Sequence, residues 1–381
     1  MSLSIKGRGR VLIVLLILAA FGANLHAYQV EVRPISPPRT PLPPEAASAG
    51  ITKFSYIVYG DTRGRRDGAD IQYEHSLVVD SAIATIKRLE HTDYPVKFVL
   101  QTGDAVLNGQ EAQQWNVSFV SLINRITVDG GVPYFLVPGN HDVTNSTDLN
   151  NPGRVKGLDN FLKAIGHLIP PEGSPRRLSG YPTYAFGYGN LFAIGFDSIV
   201  ANDEKQFEWI KHQLESLDRK RYTNVIVFCH QAAFSSGPHG GGWHNEPQTT
   251  TLRTKYMPLF RQYHVSIMFC GHEHLFEHWV ERYQDGGKQY RFDQILTGAG
   301  GAPLYAYQGE PDLRDYLRQN QAQHVTLEHL VKPGMQPGDN PYHYLVVKVD
   351  GNKMSVDVIG VDWGSGFQPY RSRHADLGDP E

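Results

Sequence analysis

Short apolar runs separated by amphipathic segments predict an α/β fold of two packed, mixed β-sheets flanked by helices. Three observations carry that prediction. The first half of the chain alternates strand-like and helix-like stretches in the order β-α-β-α-β, the pattern of a parallel sheet with crossover helices. In the second half the strand-like runs come in pairs, ending with residues 344–349 and 354–359 on either side of the hairpin turn Asp350-Gly351-Asn352. The 381 residues, 40% hydrophobic and 20% charged, suffice for one large core or two small ones, and nothing in them suggests a disordered or fibrous chain.

Taken in order, the strands are expected at residues 54–59, 96–101 and 134–137, each an apolar or aromatic run closed by a polar, Gly-containing cluster. Two more follow at 183–186 and 191–196, split by a Gly-rich turn, then 225–228, 265–269 and 291–296, before the final pair. Helices are expected at 73–90, 111–127, 158–165, 204–217 and 252–263, where apolar residues recur every three or four positions. No internal repeat is present.

The ends read differently. Lys6, Arg8 and Arg10 precede a 13-residue apolar run over residues 11–23, then Leu25-His26-Ala27. A basic start, a short apolar stretch and small residues at a cleavage point read as a signal peptide over 1–27 and predict export to a periplasm or the extracellular space. Spanning a bilayer takes about 20 apolar residues, so no stable span is expected after cleavage, with an uncleaved anchor as the alternative. Residues 28–50, dense in Pro and Ala, read as a tether. The folded domain is expected over 51–362 and a loose polar tail over 363–381.

Formal net charge is −3. A mildly acidic body without a long basic run argues against nucleic acid as a partner. The two cysteines, Cys229 and Cys270, are no disulfide framework; they read as buried thiols or as one bridge between neighbouring strand ends.

The chemistry sits where strands end. Five segments share one design, an apolar strand followed by a polar cluster: Gly60-Asp61-Thr62-Arg63, Gly103-Asp104, Gly139-Asn140-His141-Asp142, Cys229-His230 and Gly271-His272-Glu273-His274. Taken singly, each reads as an ordinary turn, cap or structural histidine. Together, in an α/β sheet whose ligands bind beyond the carboxyl ends of the strands, they converge on one crevice. They offer carboxylate, amide and imidazole donors, a set that suits Mn, Fe or Zn.

This ordered set resembles the calcineurin-like metallophosphoesterase superfamily, whose pattern is D-x-H, GD, GNH[DE], H and GH-x-H. The likeness covers about residues 53–300, and the later stretch TGAGGAP over 297–303 resembles a Gly-rich segment of many members. It implies the four-layer α-β-β-α metallophosphoesterase fold, a small phosphate-ester substrate, mono- or diester, and two divalent metal ions. Asp104 would bridge the metals, Asp61 and His274 would complete the first shell, and Asn140, His230 and His272 the second. A metal-bridging hydroxide would attack phosphorus, because two cations depress the pKa of bound water. His141 is the candidate general acid for the leaving oxygen, with Asp142 holding its imidazole. The alternative is a catalytically weakened scaffold or binding protein of the same fold. Oligomeric state does not follow from these residues.

Two positions depart from the pattern. Arg63 stands where most members have the His of D-x-H, and a guanidinium has no lone pair for a metal. Either the first site keeps a water in that vacancy, or one metal does most of the work. Arg63 then clamps a substrate phosphate or pairs with a surface carboxylate. The second departure is Leu107, three residues after Asp104, where the similar purple acid phosphatases carry a Tyr. Without a tyrosinate the enzyme is expected to be colourless or metal-exchangeable. Finally, the Gly-rich loop 235–244 leaves one ligand segment and is too polar for core, which makes His239 and His244 candidates for touching the substrate.

Overall fold

A computed structural model describes residues 30–361 and the backbone of 369–377. Residues 1–27, the expected signal peptide, lie outside the described residues. Strands β1 (Lys53–Tyr59), β2 (Val96–Gln101) and β3 (Tyr134–Leu136) run parallel, joined by helix α1 (Tyr73–Leu89) and a helical run α2 from Ala112–Gln114 to Arg125–Gly130. Short helix α3 (Asn140–Val143) follows β3 directly, and α4 (Pro152–Ile165) leads to strands β4 (Tyr184–Tyr188) and β5 (Leu191–Gly195). After α5 (Glu204–Glu215) come β6 (Asn224–Phe228), a helical run α6 from Pro247–Thr251 to Met257–Gln262, and β7 (Ile267–Cys270). The remainder is β8 (Phe276–Asp285), β9 (Lys288–Thr297), α7 (Arg314–Gln319), β10 (Thr326–Val331), β11 (Tyr342–Asp350), β12 (Lys353–Val361) and β13 (Pro369–Leu377).

The strands form two mixed sheets, ordered β13-β12-β11-β1-β2-β3 and β10-β8-β9-β7-β6-β5-β4. Their facing sides share one aromatic core. Tyr56 of β1 meets Phe269 of β7 edge-on at 6.1 Å, and Phe135 of β3 stacks on Phe186 of β4 at 4.2 Å. Aromatic pairs of this kind add roughly 0.5–1.5 kcal/mol beyond burial. They fix the two sheets face to face, so the carboxyl ends of β1, β2, β3, β6 and β7 open on one edge.

Local sequence sets the helix starts. Gln72 accepts the His75 N–H ahead of α1, Asn151 accepts from Gly153 and Arg154 with Pro152 at the first turn of α4, and Asp203 caps α5 through Gln206. Each cap satisfies a donor the helix cannot. α2 departs from the expected plain helix: Trp115–Val120 and Arg125–Gly130 wind in wider i→i+5 turns before Gly131 ends the run at φ +77°. The β11–β12 hairpin turns at Gly351 as expected, and Cys229 and Cys270 are free buried thiols.

Two boundaries are corrected. The Pro-rich segment is a strap laid along the body: Val32 and Ile35 are buried, Ile35 N–H donates to Ala164 O at 3.0 Å, and Arg33 N–H to Asn116 Oδ1 at 2.7 Å. Proline removes backbone donors, so an extended Pro-rich chain packs against side chains without joining a sheet. Glu45 at its end receives both ends of the Arg176 guanidinium and the Tyr222 hydroxyl. At the other terminus, residues 369–377 pair antiparallel with β12 as an edge strand where a loose tail was expected. Strand pairing satisfies backbone groups whatever the side chains, so a polar run on a sheet edge escapes an apolar-pattern reading. Among the described residues no helix is long and apolar enough to cross a membrane.

Candidate metal centre

All five ligand-bearing segments meet at that edge, and their backbones are bent to do so. Asp61 (φ +55°), Asp104 (φ +53°) and His272 (φ +70°) adopt left-handed conformations that non-glycine residues rarely take. Such strain gathers where surrounding structure must hold a side chain in one place. Neighbouring glycines make room: a Cβ on Gly271 would lie 2.2 Å from Asp61 Oδ2, and one on Gly139 the same distance from Asp104 Oδ1.

One group of four atoms is made only of acceptors. His230 Nδ1–H donates to Thr102 O at 2.9 Å, which leaves Nε2 as a lone pair facing Asn140 Oδ1 (2.9 Å) and Asp104 Oδ1 (3.4 Å). His272 Nε2–H donates to Glu246 Oε2 at 3.0 Å, which leaves its Nδ1 lone pair 3.1 Å from His230 Nε2. These tautomers follow from where each ring proton finds an acceptor. With both ring protons spent outside the group, Asp104 Oδ1, Asn140 Oδ1, His230 Nε2 and His272 Nδ1 repel one another unless a cation sits among them. The four residues expected at the second site are therefore brought together, and their donor atoms fit a divalent metal. Burial pushes the His230 pKa down to about 4, so the imidazole is neutral and ready to ligate.

The first-site residues are also adjacent. His274 Nδ1–H donates to Pro303 O at 2.7 Å, and its Nε2 lies 3.5 Å from Asp61 Oδ1. Burial, with the Arg63 charge adding to it, brings the His274 pKa to about 3. Both oxygens of Asp61 accept the His272 backbone N–H. Burial, then the neighbouring Asp104 charge, pushes the Asp61 carboxyl well above its ordinary value. Two buried carboxylates side by side demand positive charge. Arg63 supplies some of it: its Nε donates to Asp104 Oδ2 at 3.3 Å, and Nη2–H points to His274 Nε2 at 3.4 Å. Its side chain is 13% exposed, which rules out the surface-carboxylate pairing that the sequence left open.

His141 stands beside the centre, its backbone N–H on Asp104 Oδ1 at 2.9 Å. The support assigned to it by sequence is wrong. Its ring Nδ1 donates to the Leu107 carbonyl at 2.8 Å. Asp142 instead accepts three backbone N–H groups, from Ala105, Val106 and Gly139. A carboxylate so occupied ties the two Gly-containing loops together and has no oxygen for an imidazole.

The Gly-rich loop does overhang. The His239 ring lies 4.3 Å from that of His272, and its backbone N–H donates to buried Glu273, the residue between the two histidines of the last motif. His244 is exposed, its ring 6.2 Å from His239. Glu246 is the residue the sequence reading missed. Its second oxygen meets His239 Nδ1 at 3.2 Å, so one carboxylate holds both imidazoles. These three side chains lie close enough to hold an ion themselves, but their hydrogen bonds account for the cluster, and a His272 proton on Glu246 serves the inner quartet. Beside Arg63 a cleft of about 710 Å³ opens, lined by Gly64, Arg65, Arg66, Tyr73, Pro303 and Tyr342 among others.

Comparison with known proteins supplies the family and the fold. Over 152 residues the chain is 25% identical to the Fe(3+)-Zn(2+) purple acid phosphatase 12 of Arabidopsis thaliana, covering 38% of this chain and 29% of the plant protein. Human serine/threonine-protein phosphatase CPPED1 is 22% identical over 261 residues, 66% of this chain and 73% of that one. Among solved structures, the purple acid phosphatase PPD1 from yellow lupin (Lupinus luteus) seeds superposes with a TM-score of 0.61 at 18% identity, covering 86% of this chain and 54% of the lupin chain; it shares the fold. A family model described as calcineurin-like phosphoesterase matches residues 69–276, starting just past Asp61 and Arg63. With more than half of its length matched, and with the two-sheet architecture in place, the chain belongs to the calcineurin-like phosphoesterase family.

Proposed function

We propose that this protein is an exported, metal-dependent hydrolase of phosphate esters. The quartet of Asp104, Asn140, His230 and His272 carries the reading, because a cation among them reconciles four acceptor atoms at their distances. A bound divalent ion supplies Lewis-acid chemistry there, neutralising phosphoryl oxygens and lowering the pKa of water. The chain's own groups do the rest. His141, with Nδ1–H fixed on Leu107 O, has Nε2 as its other nitrogen, and in the imidazolium form that nitrogen carries the second proton and can hand it to a leaving oxygen. Arg63 spends two N–H groups on Asp104 and His274 and keeps three of its five for phosphate oxygens. His239, anchored by Glu246, closes the opposite side, and the cleft lined by Arg65 and Arg66 receives the rest of the ester. Mn, Fe and Zn all suit this donor set. Export rests on the basic and apolar N-terminus and is tested by the mass of the mature chain.

The catalytic reading is tested with p-nitrophenyl phosphate and bis-p-nitrophenyl phosphate under Mn²⁺, Zn²⁺, Fe²⁺ and Mg²⁺, with Asp104→Asn as control. Turnover is expected with at least one metal and lost in the variant. Metal-loaded protein that turns over neither ester with any metal is instead a binding scaffold, a reading that Arg63 alone favours.

A further inference from the structure

Arg63 has no lone pair, yet it sits among the atoms the first metal would need. The candidate first shell offers Asp61, Asp104 Oδ2 and His274 Nε2. The His274 ring proton is committed to Pro303 O, so its Nε2 accepts, and what it accepts is Arg63 Nη2–H at 3.4 Å. Asp104 divides its two oxygens: Oδ1 faces the quartet, and Oδ2 takes Arg63 Nε–H at 3.3 Å. Both of Asp61's oxygens are already on the His272 N–H. Asp61, Asp104 Oδ2 and His274 Nε2 thus each already take a guanidinium or backbone proton. In the quartet on the other side only Asp104 Oδ1 takes one, the His141 backbone N–H at 2.9 Å, and the quartet atoms take no guanidinium proton. The two halves of the centre differ in kind: one already has a cation beside it, and one asks for a cation.

We propose that the Arg63 guanidinium replaces the first metal ion, so that the centre holds one divalent cation, on Asp104, Asn140, His230 and His272. This rests on the metal-dependent reading above and departs from the two ions that the family resemblance implies. A guanidinium is permanently charged and planar, and it bridges a carboxylate and an imidazole without needing the fifth and sixth ligands a metal takes. Asp61 and Asp104 carry two negative charges, and Arg63 with one divalent ion leaves the centre modestly positive, as a phosphate site needs. A second divalent ion would face the buried guanidinium directly, charge against charge at low dielectric.

The test counts metal on the full folded chain. Chelator-stripped protein is dialysed against Mn²⁺, freed of excess and analysed for manganese per chain, with an electron paramagnetic resonance spectrum of the same sample. One manganese per chain and an uncoupled six-line spectrum are expected. Arg63→His, which restores a lone pair and removes the charge, is expected to take up two and to show exchange coupling. Two ions per wild-type chain, or a coupled wild-type spectrum, overturns the proposal. So does an Arg63→His protein that keeps its thermal midpoint and still holds one. Wild-type protein that binds none overturns the metal-dependent reading itself, a different result from binding two.

Discussion

Glu246→Ala isolates what a single carboxylate does for a metal ligand it never replaces. Glu246 Oε2 holds the His272 Nε2 proton at 3.0 Å and Oε1 holds His239 Nδ1 at 3.2 Å, with 14% of the side chain exposed. Burial works against its charge, but the His239 and His272 hydrogen bonds outweigh it and keep the carboxyl well below its usual range. Without that acceptor the His272 proton is free to move to Nδ1, the nitrogen that faces Asp104, Asn140 and His230. Loss of such an outer partner typically weakens metal binding 10- to 100-fold, roughly 1.4–2.7 kcal/mol. Glu246→Ala should therefore raise the Mn²⁺ or Zn²⁺ Kd by about that factor in calorimetric titration at neutral pH. Glu246→Gln keeps an acceptor oxygen and should lose about tenfold or less. Thermal midpoints serve as the folding control. A folded Glu246→Ala protein whose Kd lies within about twofold of wild type refutes the argument, because His272 would then need no help to keep its tautomer.

Arg261 and Glu281 form a fully buried pair at 2.8 Å, shared with the Tyr316 hydroxyl. Arg261→Ala strands the carboxylate and should cost about 3–5 kcal/mol in denaturant unfolding, whereas a shift under 1 kcal/mol would show the pair to be hydrated. Glu45 pins the strap: burial opposes its charge, but Arg176, Tyr222 and the Gly187 N–H overcome this and lower its pKa below 4.5. Its contribution is then present above the unfolded value near 4.5 and fades as pH falls through the lower folded value. The urea-midpoint gap between wild type and Glu45→Gln should accordingly be constant at neutral pH and narrow in acid; a gap that widens in acid contradicts the assignment. Leu107 gives its carbonyl to His141 and has no phenol, so iron-loaded protein should show no strong visible band; an intense one would require a tyrosinate ligand from elsewhere.

The strands that carry the ligands were readable because burial on both faces leaves nothing but apolar residues. β1, β6 and β7 are apolar or aromatic nearly throughout, and the pattern needs no knowledge of partners. β8 was not readable, and the reason is chemical. Its sequence FEHWVERYQD carries three acids, yet of the two buried ones Glu277 is satisfied by Ser236 and Trp279, and Glu281 by Arg261 and Tyr316. Apart from Trp279, those partners lie 20 or more residues away, so a window along the chain sees charge where the fold sees a closed network. β10 fails for another reason: it alternates exposed and half-buried positions on a sheet edge, where little apolar surface is removed from water.

The same distinction separates the parts of the site. Asp61, Asp104, Asn140 and His272 each directly follow a glycine, so there motif and geometry share a few consecutive residues and both can be read together. The groups that decide what the ligands can do are remote: Thr102 O for His230, Pro303 O for His274, Leu107 O for His141 and Glu246 for His272. Three of the four are main-chain carbonyls, which every residue has, so no residue type could have announced them. Arg63 shows the consequence. Its identity alone excludes it as a ligand, but whether a vacancy, a clamp or a substitute cation results depends on which nitrogen of His274 holds the proton. Pro303 O settles that at 2.7 Å, and it lies in the Gly-rich stretch whose contribution to the site is this carbonyl. In the one-cation proposal, metal stoichiometry is thereby set by a hydrogen bond from a ligand motif to a segment that carries no ligand.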